Sequence, residues 1–283
     1  MNFQQLTPRP QWLVFTDLDG TLLDHDTYSF KAAQASLDRL REHNIPVIIN
    51  SSKTAAEIND IRRQLNNTHP FIIENGSAII QPSNDLTAEQ RQSLSTKQTL
   101  ILGYKRQHIL EHLAPLKSLF PDTFRSYHDC STQDIVDMTG LSHHEASLSA
   151  QREYTEPVQW MGNDDDKKAF MEAAKQLGLQ CLHGGRFIHL MGPTDKGAAT
   201  KALSKQYIDA YQKPIKTIAL GDSENDIAMF QAADVAVVIR SPHFPPPEFE
   251  HPHKIISHYY GPEGWHECID KLFLLTLAEP EEA

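Results

Sequence analysis

Short apolar runs, each ending abruptly in polar residues, alternate with stretches of helical spacing along most of the chain. Leu13, Val14 and Phe15 form the first run, and Asp17, Asp19, Gly20 and Thr21 follow at once. A run this short and apolar suits a strand buried on both faces of a parallel sheet. Side chains alternate along a strand, so Asp17 and Asp19 are expected on one side, with Leu18 turned away. A helical pattern runs from Phe30 to about His43, with Ala32, Ala33, Ser36, Leu37 and Leu40 as its stripe, and Asn44 suits its close. Ile45–Asn50 is the second apolar run; Ser51, Ser52, Lys53 and Thr54 end it, and a helix from Ala55 to about Leu65 follows. Phe71–Ile73 is the third, closed by Glu74–Asn75–Gly76 and answered by Ala78–Ile80, a tight-turn signal that reads as shaping the sheet.

The style changes near Gln81. Pro82–Ser83–Asn84–Asp85 reads as a linker. Beyond it, helical patterns at Ile109–Leu119 and Asp166–Leu177 dominate, with short strand candidates at Leu100–Leu102, Glu156–Trp160, Leu179–His183 and Arg186–Met191. The strand–turn–helix order then resumes. Lys196 opens a helix reaching about Tyr211, and Thr217–Leu220 ends in the turn Gly221–Asp226. A helix to about Ala232, a strand at Val235–Ile239, a closing amphipathic helix at Trp265–Leu277 and an acidic tail at Glu279–Ala283 complete the chain. The expected fold class is α/β: a Rossmann-like parallel-sheet core of residues 1–84 and 191–283, with an α+β cap at 85–190 inserted into it.

Composition adds bounds rather than detail. With 283 residues, 40% hydrophobic and 22% charged, this is an ordinary soluble chain of one large domain or two. A formal net charge of −11 argues against nucleic acid or an anionic membrane as partner, yet admits a small anionic substrate wherever basic residues or a metal concentrate. Cys130, Cys181 and Cys268 form no C-x-x-C pair and read as free thiols. Met1–Arg9 lacks the pattern of a signal peptide, and no apolar stretch nears the roughly 20 residues of a membrane span, so a cytoplasmic location is expected. No pattern specifies an oligomeric state.

Candidate chemistry collects where runs end, which in open α/β sheets is where ligands bind. Asp17 and Asp19 ask for a metal cation or for acid–base work. Ser51 and Ser52 offer hydroxyls beside a helix N-terminus to an anion, or one of them caps that helix. Asp164–Asp165–Asp166 reads as a helix start favoured by the helix dipole, and the Pro- and His-rich stretch Ser241–His253 as a polyproline-like loop. Arg152, and Arg186 after Gly184–Gly185, either grip a carboxylate or phosphate with two bonds or pair with surface acids. Taken together, two acidic turns, a hydroxyl and a lysine suit phosphoryl transfer through a carboxylate nucleophile. Oxygen-only ligands favour magnesium as the cofactor.

Asp17-Leu-Asp-Gly-Thr-Leu, Ser51, Lys196 and Gly221-Asp222-Ser223-Glu224-Asn225-Asp226 resemble, in order, the four signature motifs of the haloacid dehalogenase superfamily of phosphatases. The insertion resembles the cap of its Cof-type branch. Ser52-Lys53-Thr54, Glu74-Asn75-Gly76, Arg152-Glu153-Tyr154-Thr155-Glu156-Pro157 and Gly184-Gly185-Arg186-Phe187 are similar to the mannosyl-3-phosphoglycerate phosphatases. The commoner Cof-type second motif carries Gly and Arg where Ser52 and Lys53 stand. The resemblance implies that Asp17 attacks phosphorus and that Asp19 is the general acid and base. Ser51 and Lys196 would hold the phosphoryl group. Asp17, the backbone carbonyl of Asp19, and Asp222 would hold Mg2+, with Asp226 behind or in its shell. Ser52, Lys53, Arg152 and Arg186 would bind substrate, the arginines gripping a glycerate carboxylate. Glucosyl-3-phosphoglycerate and free sugar phosphates are the alternative substrates. A non-catalytic phospho-receiver also sets Asp, Ser/Thr and Lys around magnesium, but lacks an acid at the position of Asp19 and a long insertion.

Overall fold

The structure, a computed structural model, describes residues 12–81, 99–184 and 187–274. In chain order its strands are β1 (Trp12–Thr16), β2 (Val47–Ile49), β3 (Phe71–Ile73), β4 (Ala78–Ile80), β5 (Thr99–Ile101), β6 (Phe124–Ser126), β7 (Thr155–Trp160), β8 (Gln180–Gly184), β9 (Phe187–Met191), β10 (Lys216–Gly221), β11 (Val235–Arg240) and β12 (Lys254–Tyr260). The chain divides into two compact units, residues 1–51 with 196–283, and residues 52–195.

The first unit is built on a parallel sheet of order β12-β11-β10-β1-β2. All of its strands run the same way, so the segments after β1, β2 and β10 emerge at one edge. β1 and β2 are buried along their whole length, as their unbroken apolar runs require. Helices Gln34–Glu42, Lys196–Tyr211, Ile227–Ala232 and Gly261–Leu272 belong to this unit. The first of them follows a short 3-10 turn, Lys31–Ala33, buries Ser36, Leu37 and Leu40, and closes into Asn44, whose φ of 54° ends the helix. β12 had no counterpart among the apolar runs. It is an edge strand with Ile256, Tyr259 and Tyr260 exposed, so no buried stripe announced it. The alternation expected to orient Asp17 and Asp19 also does not apply as drawn. Strand pairing stops at Thr16, and both acids sit in the turn beyond, where Thr21 and Leu23 donate their N–H groups to Leu18 O at 3.1 and 2.8 Å.

The second unit holds two antiparallel sheets, β3-β4-β5 and β6-β7-β9-β8. Ile109, Leu116, Phe170, Val158, Ile188 and Leu190 share a core on one face of the larger sheet. Residues 52–84 were expected with the parallel-sheet core, but β3 and β4 pair with each other and with β5, so their contacts lie in this unit. The Ile109–Leu119 pattern is two helices, Arg106–Glu111 and Leu113–Leu119. Pro115 explains the break, since it lacks the N–H that would bond back across His112. β6 and the helices Thr132–Thr139 and His143–Ser149 went unforeseen, although Ser131 with Asp134 and Ser142 with Glu145 form capping boxes at their starts. Asp164–Asp166 is the first turn of helix Asp164–Gln176, capped by Asn163, as expected. The Pro82–Asp85 linker, Arg186 and the residues from 275 onward lie outside the described residues. Among those described, no helix is long and apolar enough to cross a membrane.

The helix Ala55–Gln64 begins with a capping box in which Thr54 Oγ1 accepts from Glu57 N at 3.2 Å and Glu57 Oε2 accepts from Thr54 N at 2.8 Å. Neither Ser51 nor Ser52 serves as the cap. Thr54→Ala is expected to cost about 1 kcal/mol, read as a lower urea midpoint with unchanged slope, whereas Thr54→Ser should recover most of it.

Candidate active site

The acidic cluster lies in the first unit, at the carboxyl edge of its sheet. β1 hands the chain to Asp17, whose N–H still donates to Leu220 O at 2.9 Å. Trp265 Nε1 donates to Thr16 Oγ1 at 3.1 Å, and Thr16 Oγ1 donates to the carbonyl of Asp17 at 2.7 Å. The closing helix thus fixes the backbone at Asp17 through one buried relay. Gly20 follows with φ 71°, where a side chain would be strained and its Cβ would stand 2.8 Å from Asp222 Oδ2.

Lys196 is almost fully buried at the start of its helix, the positive end of the helix dipole, which is a poor place for a cation. Two carboxylates compensate: Lys196 Nζ lies 3.1 Å from Asp17 Oδ1 and 2.7 Å from Asp226 Oδ1. Burial alone would favour the neutral amine, but Asp17 and Asp226 hold the Lys196 ammonium well above its ordinary range. The side-chain amide of Asn50 donates to Lys196 O at 3.0 Å and to Thr200 Oγ1 at 3.1 Å, so the end of β2 carries the helix that carries the lysine. Ser51 is buried, one residue beyond Asn50, whose N–H donates to Thr16 O at 2.8 Å.

The other acids come from the turn after β10. Asp226 Oδ2 accepts from Asp222 N at 3.0 Å and Ser223 N at 3.2 Å while Oδ1 receives Lys196, so Asp226 organises the turn as well as the lysine. Gly221 is required there because a Cβ would collide with the Asp226 carboxyl group. Asp222 accepts from Thr21 Oγ1 at 3.2 Å. Oxygens of Asp17, Asp222 and Asp226 lie within 4.8 Å of one another, all buried. Three carboxylates face one ammonium, and two negative charges remain. Burial, then the neighbouring acids, push the Asp222 carboxyl up to about 8, and burial pushes Asp17 up to about 6 against the pull of Lys196. A hard divalent cation is the natural counter-charge for such an all-oxygen set, and these residues fit magnesium. Sequence reasoning found Asp17, Asp222, Asp226 and Lys196, which the fold brings together. It missed Asn50, Thr16 and Trp265; an Asn closing a buried strand was the available signal for the first.

The residues expected to bind substrate belong to the second unit. Arg152 Nη1 donates to Ser52 O at 3.1 Å and to Thr155 Oγ1 at 3.0 Å, so this guanidinium is held by a carbonyl and a hydroxyl. Glu74 N donates to Lys53 O at 3.0 Å, while the Glu74 carboxylate accepts from Glu153 N (2.9 Å), Tyr154 N (3.1 Å) and Thr155 Oγ1 (2.6 Å). One buried glutamate therefore ties the Ser52–Lys53 loop, its own turn and the Arg152–Thr155 segment together. His189, on β9, was not anticipated; burial and then the Arg152 charge hold its imidazole down at about 3, hence neutral.

The haloacid dehalogenase-like hydrolase family model matches residues 14–243. A protein of Persephonella marina named glucosyl-3-phosphoglycerate/mannosyl-3-phosphoglycerate phosphatase is 35% identical over 259 residues, 91% of this chain and 95% of the relative. One of the same name from Methanococcoides burtonii is 34% identical over 265 residues, again 91% and 95%. Among solved structures, a sucrose-phosphatase of Synechocystis, crystallised with sucrose and phosphate, superposes with a TM-score of 0.62 at 17% identity, over 93% of this chain and 98% of that one, a likeness of fold.

The raised carboxyls carry a signed consequence for stability. Asp17 and Asp222 bind protons more tightly folded than unfolded, so their contribution is complete below the unfolded value of about 4 and is lost as pH rises through about 8. In chelator, Asp222→Asn should become more stable relative to wild type as pH rises across that window, by urea denaturation. Magnesium should then raise the melting temperature of wild type at pH 8 and leave that of Asp222→Asn nearly unmoved.

Proposed function

The chain belongs to the haloacid dehalogenase-like hydrolases and is a phosphoric monoester hydrolase, and from that premise we propose that it hydrolyses mannosyl-3-phosphoglycerate to mannosylglycerate and phosphate with magnesium bound. The observation that carries the substrate is the 35% identity, over 259 residues or 91% of the chain, to a relative named for that activity. The names of both relatives pair the mannosyl with the glucosyl ester, which supports glucosyl-3-phosphoglycerate as the alternative substrate.

In this mechanism a carboxylate oxygen of Asp17 forms a bond to phosphorus as the bond from phosphorus to the glycerate oxygen breaks. Asp19 delivers a proton to that departing oxygen, then takes one from the water that attacks phosphorus and frees Asp17. Ser51 and the Lys196 ammonium hold the phosphoryl oxygens where charge spreads. Asp17, the backbone carbonyl of Asp19, and Asp222 would hold the magnesium, with Asp226 close by; the ion supplies charge neutralisation between the carboxylate and the phosphate dianion. Lys196 serves this step because it is already charged beside Asp17. The second unit selects the substrate: Arg152 and Arg186, with Ser52 and Lys53, take the glycerate carboxylate. Free thiols at Cys130, Cys181 and Cys268 suit residence in a reducing cytoplasm.

Released phosphate from a panel of esters tests this. Mannosyl- and glucosyl-3-phosphoglycerate should be the best substrates, and chelator should stop the reaction. Asp17→Asn should lower kcat by about 10⁴-fold or more with an unchanged circular dichroism spectrum. Turnover by that variant within tenfold of wild type would remove Asp17 as nucleophile.

A further inference from the structure

The turn between β3 and β4 places three successive residues at positive φ: Glu74 at 47°, Asn75 at 58° and Gly76 at 89°. It is pinned from several sides. Ser77 Oγ donates to Glu74 O at 2.7 Å, Thr194 Oγ1 donates to Gly76 O at 3.2 Å, and Glu74 makes the bonds to Lys53 and to the Arg152–Thr155 segment described above. Asn75 sits in the middle, 1% exposed. Asparagine tolerates the left-handed region, so the backbone there is compatible with this side chain. The amide is another matter. Both its Nδ2 and its Oδ1 are buried with no hydrogen-bond partner among the described residues. Folded proteins rarely leave a buried amide unpaired at both ends, because each end loses its hydration without return.

Other buried polar atoms of the second unit lack a hydrogen-bond partner among the described residues. Arg152 Nε is buried with no partner among the described residues, although Nη1 of the same guanidinium is held by Ser52 and Thr155. His189 Nδ1 is likewise unpartnered. In the β7–β9 ladder Thr155 pairs with Met191 and Pro157 with His189, so Thr155 and His189 share the sheet face opposite the core residues Val158, Ile188 and Leu190. Glu74 links that face to the Asn75 turn through its bond from Thr155 Oγ1.

We propose that Asn75 is a substrate-binding residue that reads a hydroxyl group, in the part of the second unit that Glu74 ties to the Arg152–Thr155 segment. This rests on the reading of the chain as a phosphoglycerate-sugar phosphatase and adds to it the contact that reads the hydroxylated part. The chemistry selects the ligand class. Nδ2 requires an acceptor and Oδ1 requires a donor. A phosphate dianion or a carboxylate offers acceptors alone, so neither satisfies this amide. A hydroxyl is donor and acceptor at once, and neighbouring hydroxyls of a sugar satisfy both ends. The Arg152 guanidinium is a donor alone and suits a carboxylate, so Asn75 and Arg152 take different ends of one hydroxylated acid.

The test compares Asn75→Gly and Asn75→Asp with wild type on two substrates, mannosyl-3-phosphoglycerate and p-nitrophenyl phosphate, the second lacking any sugar hydroxyl. Glycine accepts the backbone conformation and removes the amide, while aspartate keeps an acceptor and removes the donor. For both variants kcat/KM should fall by about 10- to 100-fold on the sugar ester, and on the aryl phosphate it should stay within about 2-fold. Equal losses on both substrates would mean that Asn75 supports the fold, and no loss on either would mean that it touches no hydroxyl; each overturns the proposal. If wild type hydrolyses mannosyl-3-phosphoglycerate no better than the aryl phosphate, the substrate reading fails by itself. The same comparison is then made on a hexose phosphate that wild type does hydrolyse, and selective loss there sustains the role of Asn75. A wild-type enzyme that hydrolyses no hydroxylated ester overturns both.

Discussion

A buried ammonium between two carboxylates is the constraint on which the first unit depends. Lys196 stands between Asp17 and Asp226 with almost no exposure, at the end of a helix whose dipole opposes it. Such a charge is tolerable only if its partners are held at fixed positions. Each partner is fixed from a different part of the sequence. Asp17 is set by β1, by the bond to Leu220 and by the Thr16–Trp265 relay; Asp226 by its own turn after β10; Lys196 by Asn50 at the end of β2. The parallel sheet is what brings these three strand ends to one edge.

The same network leaves a surplus of negative charge, and that surplus has a use. With Lys196 engaged by Asp17 and Asp226, Asp222 is left without a cation, and its charged form is disfavoured until a divalent ion supplies one. Stability and chemistry are therefore coupled at this edge. The groups that make the metal-free protein less stable at neutral pH are the ones that fit it for phosphate esters. The second unit shows a parallel economy: Glu74 joins two segments far apart in sequence, its buried carboxylate accepting from residues 153–155 and its N–H donating to Lys53 O, and the Asn75 amide beside it has no hydrogen-bond partner among the described residues.

The sequence made the buried strands and the acidic turns legible because both have local signatures. Leu13–Phe15 and Thr217–Leu220 are apolar runs that end in carboxylates, and the expected strands lie there. Lys196 was legible as a basic residue opening a helix. What stayed hidden was carried by long-range pairing. Trp265 and Thr16 are far apart in the chain, and nothing in either neighbourhood names the other. Glu74 read as part of a turn because the donors it serves lie far along the chain at 153–155. Edge strand β12 lacked the apolar stripe that marks buried strands, and the short helices at Thr132–Thr139 and His143–Ser149 were announced only by their capping residues. The helix broken at Pro115 shows the reverse case, a local signal that the broader apolar pattern concealed.

In the proposed reaction Asp17 bonds covalently to phosphorus during turnover. Mass spectrometry of peptides from enzyme quenched in mid-turnover, after reductive trapping of acyl phosphates, tests it most directly. Modification confined to Asp17, present with substrate and magnesium and absent when either is withheld, is the expected result. Turnover that leaves Asp17 unmodified while trapping a phosphoryl group at another residue would contradict it.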